Sequence, residues 1–114
     1  MNGYLLVVAA AVGALTGVIS LGGHPATVAV HAAGGIVALG LVVLVAHRVR
    51  RYLPMILVAG MVAANVTGVV WTGYGQTDVT VVAHIVVSVL VVAGLLLAAS
   101  EQHQGPDTTG DRAP

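Results

Sequence analysis

The chain has 114 residues, 58% of them hydrophobic and 7% charged, with a mean hydropathy of +1.01. Soluble domains carry about 25% charged residues, so a water-soluble globule is excluded, and the length suits one domain. The formal net charge is zero and all four basic residues are arginine, so there is no basic face for nucleic acid. The absence of cysteine excludes disulfides, thiolate zinc sites, iron–sulfur clusters and covalently attached c-type haem. A small integral membrane protein remains.

Four apolar runs, at about residues 4–21, 26–46, 52–72 and 77–100, each suit a span of roughly 20 residues. The first begins behind Met1-Asn2-Gly3, which carries no positive charge, and no clear small-x-small site follows. It is therefore read as a span and not a cleaved leader. Gly22-Gly23-His24-Pro25, His47-Arg48-Val49-Arg50-Arg51 and Gly73-Tyr74-Gly75-Gln76 separate the runs. Pro25 and Pro54 fall in the first turn of a helix, where the missing N–H costs nothing. Such short connections predict antiparallel neighbours, and so an all-α, up-down four-helix membrane bundle over residues 1–100.

Arg48, Arg50 and Arg51 share the middle connection, and the other two contain no arginine. The positive-inside rule predicts a cytoplasmic middle loop, hence cytoplasmic termini and a multi-pass protein of the cell membrane. Residues 101–114 are expected to form a polar tail without fixed structure. The spans are rich in valine, alanine and glycine, which suits close helix approach. Gly13, Gly17 and Ser20 share one face of the first helix; Gly60, Ala64, Thr67 and Trp71 share one of the third.

Ionisable residues inside spans are costly and point to function. Here they are His31 in the second helix and His84 in the fourth; Asp78 sits at a helix start, where the helix dipole favours it. At 1.5 Å per residue both histidines lie roughly 6–9 Å below the outer surface, on helices that run in the same direction. Adjacent axes 8–10 Å apart give a diagonal of about 11–14 Å, which two imidazoles can bridge through a metal at about 2 Å from each. Two imidazoles alone make an incomplete site for a bare ion, whereas a haem brings the other four ligands itself. The expected site is one bis-histidine haem b. His31 and His84 are its iron ligands, and Gly34, Gly35, Ala38, Ser88, Thr16 and Thr67 form the cofactor-contacting set. His24, His47 and His103 are read as surface residues, and Met55 and Met61 as packing residues.

The chain also repeats itself: Thr16-Gly17-Val18 precedes His31 as Thr67-Gly68-Val69 precedes His84. This two-helix duplication predicts a pseudo-two-fold axis along the membrane normal. Leu15-Thr16-Gly17…His31 and Val66-Thr67-Gly68…His84 resemble the pattern of membrane b-type cytochromes, especially one half of haem A synthase. In that family each four-helix half carries histidines on its second and fourth helices. The family's acidic stretch before one histidine has no counterpart in Thr27-Val28-Ala29-Val30. The resemblance thus implies a haem b-bearing half without catalytic activity.

The expected function is electron transfer as a cytochrome b subunit of a larger redox complex, or as a homo-oligomer. Quinone or a redox protein would be its partner. The outward connections offer His24, Trp71, Tyr74, Gln76 and Thr77 as hydrogen-bond donors to the haem. The alternative is a structural membrane anchor without a redox role. A proton-coupled exporter would need a carboxylate deep in a span, and the sequence has none there.

Overall fold

The computed structural model describes residues 1–74 and 78–104, and side chains outside 71–78. Four helices follow in order: α1 (Asn2–Ser20), α2 (Pro25–Val49), α3 (Tyr52–Tyr74) and α4 (Asp78–His103). All four are long and apolar enough to cross a membrane. The described residues contain no strand.

The turn between α1 and α2 is built locally. Gly23 takes φ +74, a left-handed conformation that glycine adopts without a steric cost. The exposed His24 caps α2, its ring nitrogen accepting from Ala26 N–H at 3.1 Å, and Pro25 opens the helix. At the other end of α2, Arg50 donates its N–H to Ala46 O at 2.9 Å, and Pro54 lies buried in the first turn of α3. Helix α4 runs on through His103, so the first residues of the polar segment are helical. The His103 ring meets Tyr4 of α1 edge-on, with centroids 5.4 Å apart. Residues 105–114 lie outside the described residues.

Each helix packs against two neighbours: α1 on α2 and α4, and α3 on α2 and α4. Helices α2 and α4 therefore stand diagonally across the bundle, as the short connections predict. Large apolar side chains cover the outside, including Leu15, Ile36, Ile56 and Leu90. No polar or charged side chain is buried among the described residues. An apolar exterior on four such helices defines a lipid-facing bundle.

Packing is uneven along the long axis. The buried residues are Gly3, Leu6, Ala9 and Ala10 of α1; Ala38, Val42 and Val45 of α2; Pro54, Leu57 and Met61 of α3; and Val91, Leu95, Ala98 and Ala99 of α4. All lie in the half that holds the termini and the α2–α3 connection. The half that holds His31 and His84 has no fully buried side chain among the described residues.

Glycines in the packed half permit close approach at particular points. A Cβ at Gly94 would stand 2.5 Å from Leu57 Cδ2, whereas one at Gly40 would meet nothing within 4 Å. Leu57 is itself buried, so it has little room to yield. Gly94→Ala is expected to destabilise the bundle by about 1–3 kcal/mol through overpacking. Gly40→Ala should be neutral or slightly stabilising, since alanine is the better helix former. Unfolding midpoints of the two variants in mixed micelles check this.

Candidate paired-histidine site

Thr16 lies on α1, one turn before its C-terminus, and packs toward α2. Its hydroxyl donates to Val12 O of the preceding turn. With that proton committed, Thr16 Oγ1 accepts from His31 Nδ1–H at 2.9 Å. The α3–α4 pair repeats the arrangement: Thr67 Oγ1 donates to Ala64 O at 2.9 Å and stands 3.2 Å from His84 Nδ1. His84 Nδ1 is also 3.1 Å from Ala64 O. A carbonyl can only accept, so this nitrogen carries the proton. In both rings the lone pair therefore resides on Nε2, the tautomer of a metal-binding imidazole whose other nitrogen is held by a second partner.

The glycine after each threonine completes the duplicated unit. A Cβ at Gly17 would lie 3.4 Å from His31 Cε1, and one at Gly68 would lie 3.3 Å from His84 Cε1. Any side chain there would press on the ring. The Thr-Gly pair thus has two tasks: threonine orients the imidazole, and glycine leaves it room.

The two half-buried rings meet across the α2–α4 diagonal. Their centroids are 6.2 Å apart and their planes are inclined at 75°. Two imidazoles sharing one metal at about 2 Å from each nitrogen hold their centres about 6 Å apart. Among the described residues no group of three or more His, Cys, Asp or Glu could hold a metal ion. Two imidazoles suit a group that brings its own in-plane ligands better than a bare ion.

The remaining site candidates are more scattered. Gly34 faces α1, where a Cβ would be 3.1 Å from Val12 Cγ1 and 3.2 Å from Thr16 Oγ1. Gly34 thereby keeps open the place of the threonine that holds His31. Gly35 faces α3, where a Cβ would be 2.8 Å from Asn65 Oδ1. Ala38 belongs to the packed core, and Ser88 is half-buried one turn from His84. His24 and His47 are exposed. Met61 is buried and Met55 exposed. Gln76 and Thr77, and the side chains of Trp71 and Tyr74, lie outside the described residues.

Asn65 carries no ionisable group and so is not marked by the intramembrane-charge criterion that singles out His31 and His84. It is half-buried in mid-α3, and its amide donates to Met61 O at 2.9 Å. It stands where the packed core gives way to the histidine half. An asparagine midway along an apolar span was the available signal.

These features define a four-helix membrane bundle with a paired-histidine centre, built twice from the same Thr-Gly…His unit. No protein family, curated protein or solved structure matches the chain.

Proposed function

We propose that the chain is a membrane cytochrome b subunit that carries electrons through one haem b held between His31 and His84. The observation that carries this reading is the ring pair itself. Two imidazoles of the same tautomer, each anchored by a threonine, stand 6.2 Å apart on diagonal helices. When bound, an iron porphyrin supplies a one-electron couple. The threonine and carbonyl contacts hold the imidazole protons on Nδ1, so Nε2 of each ring would be the ligating atom, and apolar helices surround the pair.

Ligation by both histidines would leave no open position for oxygen or substrate, which favours electron transfer over catalysis. Quinone in the bilayer or a redox protein at its surface would exchange the electron, within a larger complex or a homo-oligomer. By the positive-inside rule the arginine-bearing α2–α3 connection and both termini are cytoplasmic, and the histidines lie toward the outer leaflet of the cell membrane.

The test is a reduced-minus-oxidised spectrum of the full chain, expressed with haem available and purified in mild detergent. Low-spin b-type bands at about one haem per chain are expected for a bis-histidine centre. A colourless, monodisperse and fully helical preparation would overturn the reading and favour a structural anchor.

A further inference from the structure

A second feature lies at the opposite end of the bundle from the histidine pair and has no part in the electron-transfer reading. Between the end of α2 and the start of α3 is an open groove of about 590 Å³, lined by Val43, Ala46, Val58 and Met55, with His47 and Arg50. The walls are apolar, and Val43 and Met55 open onto the exterior. The only charged side chain in the lining is cationic, and Arg48 and Arg51 stand beside it in sequence. No carboxylate lies in the connection or among the lining residues.

Arg50 ends α2 at φ 52, ψ 41, and it is the one non-glycine residue with positive φ among the described residues. Glycine is the usual choice at this position of a helix C-terminus because it has no Cβ to clash. Arginine in its place puts a cationic side chain at the lip of the groove.

We propose that this groove binds an anionic phospholipid, with the phosphodiester on Arg50 and His47 and acyl chain along Val43, Ala46, Met55 and Val58. Charge complementarity chooses the occupant. A cationic lip above an apolar trough, at the end of membrane-crossing helices, matches a negative headgroup joined to hydrocarbon. Basic pockets between helices take anionic headgroups, and the one arginine in this lining should contribute about fivefold in affinity.

Native mass spectrometry of the full chain in mild detergent tests this, with phosphatidylglycerol and phosphatidylcholine of identical acyl chains as probes. Phosphatidylglycerol is expected to be retained about fivefold over phosphatidylcholine. Arg50→Gln should erase that preference and Arg50→Lys should keep most of it. Arg48→Gln, outside the groove, should leave it unchanged. Val43→Trp, which fills the trough, should lower retention of both lipids and covers the case in which Arg50→Gln fails to fold. Any of four results overturns the proposal: equal retention of the two lipids, an equal loss in Arg48→Gln and Arg50→Gln, displacement of phosphatidylglycerol by equimolar inorganic phosphate, or a dimer that excludes lipid. None of these readouts depends on haem, so this proposal and the electron-transfer reading fail separately.

Discussion

Replacing His31 or His84 with alanine is expected to abolish the low-spin b-type spectrum while leaving the helical content intact. In the proposed centre each imidazole would be one of two protein ligands, and no other histidine, cysteine or carboxylate joins the pair among the described residues. A single substitution would leave iron with one protein ligand and an open position. The cost to folding is small by comparison. Removing His31 deletes one half-buried hydrogen bond to Thr16, worth about 1 kcal/mol. The spectrum should therefore collapse without a matching loss of stability. If both alanine variants kept the wild-type bands, the paired-histidine assignment would be lost.

Thr16→Val and Thr67→Val sharpen this expectation. Valine keeps the shape of threonine but removes the oxygen beside Nδ1. A ligand that loses its second-sphere partner typically weakens binding by about 10–100-fold. Thr16→Val should keep low-spin bands but retain haem less well and show a shifted midpoint potential, and Thr67→Val should do the same to a smaller degree, because Ala64 O still accepts from His84 Nδ1 at 3.1 Å. A purely structural role for the threonines would move stability and leave the potential where it was.

Leu6→Ala and Leu95→Ala are each expected to destabilise the bundle by about 2 kcal/mol, whereas Ile85→Ala should cost well under 1 kcal/mol. Leu6 and Leu95 are sealed in the packed half at 0% and 1% exposure, and Ile85 in the histidine half is 46% exposed. Lipid tails are as apolar as leucine, so truncation in a membrane loses little transfer energy. The cavity and its forfeited dispersion contacts remain, at about 24 cal/mol per Å³. Denaturant titration in mixed micelles measures the difference. Similar losses at all three positions would contradict the uneven packing.

The bundle was legible in the sequence because its causes are local. Hydropathy marked four spans, short connections set their antiparallel order, and Pro25 and Pro54 marked helix starts. Two histidines on same-direction helices followed from counting residues. The repeated Thr-Gly-Val foretold that the two halves are alike. It did not tell that each threonine holds its histidine's Nδ1, a contact between helices 15 residues apart in one half and 17 in the other. Gly34 and Gly35 looked like flat surfaces for a cofactor; the structure sets one against Val12 and Thr16 and the other against Asn65. Which valine or leucine faces inward was not legible at all. Val42 is fully buried beside Val43 at 46% exposure, and Leu6 is fully buried while Leu15 is 64% exposed. In water the solvent-facing side of a helix must be polar, and that contrast writes the fold's interior into the sequence. Lipid removes the contrast, so only helix-to-helix packing could decide the core, the uneven halves and the groove beside Arg50.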